Sequence, residues 1–253
     1  MPGNQITLLV GASSEIGGAI LHEFRAKSED SCFSLGRSKK SDCLAIYENP
    51  VEATEGKALF EGNLISICQY MNSRNLIISK LILSSGYMSQ SFNQSDPGEF
   101  YKSFEGNTLF PISVFEALID HEILKKQSLV ILMSSSLYGL PLQEKHFVYQ
   151  LMKELLEKFM VHEFRSKNLE MDLLVVRPGH VQTKLNALIP ESKISTNANN
   201  LASFLSRQKF GQAKGPRYRV CYYPRSLRFA TFTLRLLPKR VFRLLIDLLK
   251  SGD

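Results

Sequence analysis

The sequence predicts an α/β fold, a single doubly wound parallel sheet of about seven strands with helices on both faces. Three observations point there. Short β-branched or apolar runs alternate with longer helical patterns from the first residues onward. A glycine-bearing turn, Gly11 to Gly17, joins the first run to the first helical pattern. No stretch rich in Pro, Gly or Ser divides the 253 residues, a length that suits one large α/β domain. With 44% hydrophobic and 22% charged residues the composition is globular, which excludes a disordered or fibrous chain.

Taken in order, the expected strands are Gln5–Val10, Ser31–Leu35, Lys57–Glu61, Lys80–Ser84, Ser128–Ser134, Glu170–Val176 and Arg217–Tyr222. Helical patterns fall between them at Ile16–Lys27, Leu64–Asn72, Pro97–His121, Leu142–Lys167 and Asn199–Gln208. In the fourth of these, Phe147, Leu151, Leu155, Phe159 and Phe164 form a helical stripe. Residues 1–223 are read as the dinucleotide-binding and catalytic domain. Lys184–Asn200, polar and placed after the sixth strand, is expected to be a substrate lid. Residues 224–253 are read as a basic amphipathic extension, with Pro238 separating two short helices.

Cys32, Cys43, Cys68 and Cys221 form no CxxC pair and read as reduced cytosolic thiols. The N-terminus lacks a basic segment followed by an apolar region, so no signal peptide is expected, and no apolar run reaches the roughly 18 residues of a membrane span. A cytoplasmic protein is the expectation. The charge of +7 is unevenly spread: residues 207–250 hold 12 Lys/Arg against the single acid Asp247. Such a tail suits an anionic partner, whether a membrane surface (peripheral, on its inner face), a charged protein or nucleic acid. It equally suits a helix covering its own domain or a subunit contact. Nucleic acid ranks last because no binding motif accompanies the charge.

The turn Val10-Gly-Ala-Ser-Ser-Glu-Ile-Gly17 lies between the first strand and the first helix, where backbone N–H groups and a helix N-terminus cradle a pyrophosphate. Gly11, Ser13, Ser14, Ile16 and Gly17 are the cofactor-binding candidates there. The second strand ends Leu35-Gly-Arg-Ser38. A ribose 2′-hydroxyl calls for an acid at that place and a 2′-phosphate for Arg, so Arg37 and Ser38 favour NADP(H) over NAD.

Tyr149 and Lys153 stand four apart on one helix face. Ser136 lies 13 residues before Tyr149 at a strand end, Asn107 sits in the preceding helix, and Arg177-Pro-Gly-His-Val-Gln-Thr183 closes the next strand. In this order and spacing the chain resembles the short-chain dehydrogenase/reductase family over roughly residues 5–184, which implies a Rossmann-type sheet and a Ser-Tyr-Lys site. The chemistry fits the residue types. The Lys153 ammonium is expected to lower the phenol pKa of Tyr149, making it a general acid or base near neutral pH, while Ser136 bonds the substrate oxygen as charge develops on it. The resemblance implies that Lys153 also holds the nicotinamide ribose, that Asn107 supports a proton-relaying water, and that Pro178, Gly179, Val181 and Thr183 pack on the nicotinamide. His180 is given no role, and no His/Cys spacing suggests a metal.

Three departures bear on the cofactor. Glu15 replaces the middle glycine of the family's turn, Ser84-Ser-Gly-Tyr87 stands where the family has Asn-Asn-Ala-Gly, and Asn63 stands where it has Asp. Ser85 and Gly86 are expected beside the adenosine half and Asn63 on the adenine. The resulting expectation is an NADP(H)-dependent oxidoreductase interconverting a ketone or aldehyde and an alcohol on an apolar or lipid-linked substrate, assembled by analogy as a homodimer or homotetramer. The competing reading is a non-catalytic NADP-binding sensor or scaffold.

Overall fold

The computed structural model describes residues 4–27, 31–37, 43–48, 58–87, 97–140, 147–167, 169–183, 195–208, 217–238 and 241. At its centre is β1 (Asn4–Val10), whose last five residues are all buried, as a strand covered on both faces requires. It pairs in parallel with β2 (Ser31–Arg37) on one side and β5 (Leu76–Leu83) on the other. Beyond β5 the sheet continues in parallel through β6 (Leu124–Met133), β7 (Asp172–Pro178) and the edge strand β10 (Arg217–Tyr223).

The other side of the sheet departs from the expected pattern. β2 is followed by β3 (Leu44–Glu48), which lies antiparallel on it, and β3 by the short β4 (Phe60–Gly62), antiparallel in turn. The sheet therefore has eight strands, ordered β10-β7-β6-β5-β1-β2-β3-β4. A reversal takes the place of one crossover, and β3 was not expected from sequence. Two reversals restore the direction of β1, so β4 still delivers the next helix at the carboxyl edge, where open α/β sheets bind ligands.

The two faces carry separate apolar layers. Under α1 (Glu15–Lys27) and α6 (Ala198–Ser206) lie Leu9, Ile20, Phe24, Ile82, Ile131, Val176 and Leu201. Opposite them α2 (Leu64–Ser73), α4 (Phe110–Asp120) and α5 (Phe147–Ser166) cover Leu8, Val10, Leu81, Leu132 and Val175. Phe115 of α4 is fully buried and stacks on Phe164 of α5 at 5.6 Å. Burying such a ring contributes roughly 1.5–3 kcal/mol.

The helical pattern from Pro97 resolves into α3 (Pro97–Phe104), a π-helical turn (Glu105–Leu109) and α4. Pro111 has no N–H to give the Asn107 carbonyl, and the Phe110 N–H reaches back five residues to Glu105. The wide turn buries Asn107 and Thr108, and such turns often mark functional sites.

The expected stripe of α5 holds toward its C-terminal end, where Phe164 is buried and Phe159 packs on the core, but is displaced by one residue at Leu151 and Leu155. Val148, Met152, Leu156 and Met160 face the core, whereas Leu151 and Leu155 are 38% and 45% exposed. Of the expected lid, residues 184–194 lie outside the described residues. Its end forms β9 (Thr196–Asn197), paired with β8 (Val181–Gln182), and enters α6. The C-terminal extension begins as α7 (Ser226–Leu236), which ends before Pro238 as expected; the second expected helix lies almost wholly outside the described residues. Among the described residues no helix is long and apolar enough to cross a membrane.

Candidate active site

Seven strand ends, all but that of β3, lie at the carboxyl edge. The turn after β1 is shaped by two glycines. Gly11 has φ 94°, and a Cβ there would stand 2.7 Å from the Ser85 backbone nitrogen, so only glycine fits. At Gly17 a Cβ would collide with the Gly11 carbonyl. Ser14 closes the turn: its hydroxyl donates to the Gly11 carbonyl (3.1 Å) and accepts the Gly17 N–H (2.9 Å), which caps α1. Ser13 is exposed, and Ile16 packs on the apolar layer under α1. Glu15 is exposed in the first turn of α1, where the helix dipole favours an acid.

Next to this turn, Arg37 is exposed at the end of β2, and Gly36 has nothing within 4 Å of where a Cβ would stand. Ser38 lies outside the described residues. Asn63, expected on adenine, is the N-cap of α2: its Oδ1 accepts the Ser66 N–H at 2.9 Å and the Ser66 hydroxyl at 3.0 Å.

The tail of β5 is held from below. Lys153 Nζ donates to the Ser85 carbonyl at 2.8 Å and approaches the Met133 carbonyl at 3.4 Å, tying the ends of β5 and β6 together. A Cβ at Gly86 would stand 3.5 Å from that Nζ and 3.4 Å from Asn107 Oδ1. Asn107, wholly buried, clasps the next residue: Oδ1 accepts the Tyr87 N–H (3.0 Å) and Nδ2 donates to the Tyr87 carbonyl (2.6 Å). Nδ2 also donates to the Ser103 carbonyl and hydroxyl. The expected water-holding role therefore meets a side chain already bonded to Tyr87 and Ser103. Tyr87 itself turns toward α3, donating to Glu99 at 2.7 Å. The Ser85 hydroxyl is buried and has no hydrogen-bond partner among the described residues.

Three adjacent serines end β6, and their partners separate them. Ser134 donates to Glu157 at 2.6 Å, and Ser135 Oγ accepts the Leu137 N–H at 3.2 Å. Ser136 is anchored through its backbone N–H to the Pro178 carbonyl (3.0 Å) and is only half-buried, so of the three its hydroxyl is the one not spent on the protein among the described residues. On α5, Tyr149 is half-buried and Lys153 is buried.

The ionisation of this pair differs from the sequence expectation. Burial pushes the Tyr149 phenol up to about 12 and the Lys153 ammonium down to about 8. Nζ stands 5.9 Å from the Tyr149 ring centroid and bonds to carbonyls instead. Desolvation governs both groups, and the Tyr149 phenol stays protonated.

After β7, Pro178, Gly179 and Thr183 are half-buried and Val181 is buried. The Gly179 N–H donates to the Tyr223 carbonyl at 2.8 Å, and a Cβ at Gly179 would collide with Leu227 of α7. His180 Nδ1 lies 2.9 Å from the Ser195 hydroxyl, which closes the segment between them at its base.

No family model matches the chain, nor does any curated protein. Solved structures do match. The aldohexose dehydrogenase of Thermoplasma acidophilum, in ligand-free form, aligns over 88% of this chain and 95% of its own, with 13% identity and a TM-score of 0.64. A short-chain type dehydrogenase/reductase from Mycobacterium ulcerans covers 95% and 98%, with 12% identity and a TM-score of 0.66. One from Serratia marcescens covers 89% and 99%, with 15% identity and a TM-score of 0.62.

The chain has the short-chain dehydrogenase/reductase fold. On that fold the sequence-derived residues gather at one edge of the sheet, with Ser38 alone undescribed.

Sequence reasoning missed what holds this edge of the sheet in place. Glu157, four residues after Lys153 on the same face of α5, forms a buried two-point ion pair with Arg177, joined by Ser134. Arg177 also donates to Tyr222 at 2.6 Å and stacks over Tyr138, its Cζ 3.7 Å from the ring centroid. One signal was available: a Glu in helical register with Tyr149 and Lys153 in the middle of α5, and an Arg directly before Pro178 at the end of β7, are a matched pair of charges.

Proposed function

We propose that this chain is an NADP(H)-dependent oxidoreductase that interconverts a ketone or aldehyde and an alcohol on an apolar or lipid-linked substrate. The observation that carries the reading is the joint state of Ser136, Tyr149 and Lys153: an uncommitted hydroxyl, a phenol kept protonated by burial, and an ammonium fixed beneath it by the Ser85 carbonyl.

The cleft fits a dinucleotide. Gly11 and Gly17 let the turn pack against the Ser85 backbone and on itself, which puts the N-terminus of α1 behind it as a site for a pyrophosphate. Gly86 leaves room above Lys153, and the Ser85 hydroxyl is an unpaired polar group beside it. Arg37 stands where a 2′-phosphate would be met, which supports NADP(H) over NAD. When bound, the nicotinamide supplies the hydride.

The protein's part is positioning and proton transfer. In reduction, Tyr149 gives its proton to the carbonyl oxygen while Ser136 donates a hydrogen bond to the same oxygen as negative charge builds there. Lys153, charged at neutral pH because even its lowered pKa is about 8, stabilises the phenolate left behind. Two donors of its ammonium are directed at the Ser85 and Met133 carbonyls, and the third is available to a ribose hydroxyl. The apolar substrate is supported by Leu227, which lies on Gly179 and carries apolar surface from α7 to the rim of the cleft.

NADPH and NADH titration by fluorescence, followed by nucleotide oxidation against a panel of carbonyl compounds, tests the reading. Tyr149→Phe is expected to keep nucleotide binding and to lose roughly 10²–10⁴-fold in turnover. NADPH binding with no turnover on any carbonyl would favour the sensor reading instead.

Pairing through α4 and α5 is the assembly proposed. Leu109, Leu151 and Leu155 present exposed apolar surface there, more than a lone helix face leaves to water without a partner. Sedimentation analysis is expected to show a dimer or tetramer that Leu151→Glu with Leu155→Glu converts to monomer.

A further inference from the structure

Helix α7 meets the protein along a narrow face. Thr231 is its one buried residue, with Leu227 and Leu234 half-buried beside it. On the opposite side Phe229, Phe232 and Leu236 form a single stripe at helical spacing, exposed by 74%, 59% and 69%. Arg225 and Arg228 flank the stripe, both exposed. A shallow cleft of about 480 Å³ opens between these side chains and Tyr222 of β10.

The inner side of the same helix touches both loops of the candidate site. Leu227 fills the space that Gly179 leaves after β7. Arg235 donates to the Tyr138 carbonyl, two residues after Ser136, and lies against Gly139. The outward face is therefore the outer rim of the cleft.

We infer that this face seats the protein on an anionic lipid bilayer, with Phe229, Phe232 and Leu236 entering the interface and Arg225 and Arg228 on the head groups. Three features select that occupant. Aromatic and leucine side chains on one stripe with arginines at its margin match the depth profile of a bilayer surface. Between residues 207 and 246 the sequence has no acid, so nothing in this region opposes a negative surface. A second copy is disfavoured because a two-fold contact here brings Arg225 and Arg228 of both copies into one interface, with no acid from residues 207–246 to pair them. The inference goes beyond the oxidoreductase reading and stands without it, since lipid binding is read with no turnover.

Vesicle pelleting of the full chain tests it. Wild type is expected to pellet with vesicles of equal parts phosphatidylcholine and phosphatidylglycerol at least tenfold more than with phosphatidylcholine alone, and to be released by raised salt. Phe229→Ser with Phe232→Ser, and separately Arg225→Glu with Arg228→Glu, are each expected to abolish pelleting. Both variants should keep the wild-type circular dichroism spectrum and NADPH titration behaviour, which separates loss of the surface from loss of the fold. Failure of wild type to pellet overturns the inference. Pelleting that survives both double variants removes it from α7, and oligomers that vanish with the Phe229/Phe232 variant give the face to a second copy.

Discussion

The two sides of the cleft are built differently. On the side of β5, β6 and β7, buried polar groups bond to one another: Lys153 to the Ser85 carbonyl, Asn107 to Tyr87, Glu157 to Arg177 and Ser134. On the side of β2, β3 and β4 the chain reverses instead of crossing over, and Arg37 and Asn63 stand exposed. The first side fixes atoms to within a hydrogen bond, as proton transfer demands. The second offers charge and space, which is enough to hold a phosphate. Chemistry calls for the stiffer half.

The largest effect should come from breaking the bonded side. Glu157→Ala leaves Arg177 buried without its carboxylate, which costs roughly 3–5 kcal/mol. A fall of about 10 °C in the melting temperature is expected for a chain of this length. A change under about 2 °C would show that Tyr138 and Tyr222 hold the guanidinium unaided.

A smaller, pH-dependent effect belongs to Lys153. Its folded pKa of about 8 lies below the ordinary 10.5, so between those values the unfolded chain binds more protons and stability rises with pH. Wild type should gain stability from pH 8 toward 10, and Lys153→Met should lack that gain. Above pH 10 the sign reverses, because the phenol of Tyr149 holds its proton up to about 12 in the folded state. Chemical denaturation across this range reads both slopes; parallel curves for the two proteins would remove burial as the cause.

Arg37→Ala probes the open side and should be mildest. NADPH affinity should fall about tenfold, or ~1.4 kcal/mol, with NADH binding and the melting temperature unchanged. Equal loss of both nucleotides would place Arg37 on the pyrophosphate rather than on a 2′-phosphate.

What was legible in the sequence follows the same division. The turn at Gly11 and the Tyr149/Lys153 spacing are local patterns, so they could be read without the fold. The strand at Leu44–Glu48 was missed because five residues, Leu-Ala-Ile-Tyr-Glu, give too short a run to separate from a loop. At Leu151 and Leu155 the stripe of α5 falls one residue off the core-facing row for a more instructive reason. The helix carries two neighbouring apolar rows, and the one that faces the core adjoins Lys153 and Glu157. Those charges make it read as the solvent side. Only Arg177 and the Ser85 carbonyl, distant in sequence, make them buriable. Asn63 shows the converse: the Asn-x-x-Ser spacing is a local pattern for a helix cap, and its side chain caps α2.

Gly179 and Leu227 fit as a socket and a peg, and the rest of α7 has few other anchors. A helix so loosely attached can change its outer residues at little risk to folding, while its inner contacts stay in place beside Ser136 and the loop after β7. Selection could therefore retune what this protein meets outside the cleft without disturbing Ser136, Tyr149 and Lys153. The hydrogen-bonded half of the sheet, where one lost partner strands a buried charge, has no comparable freedom.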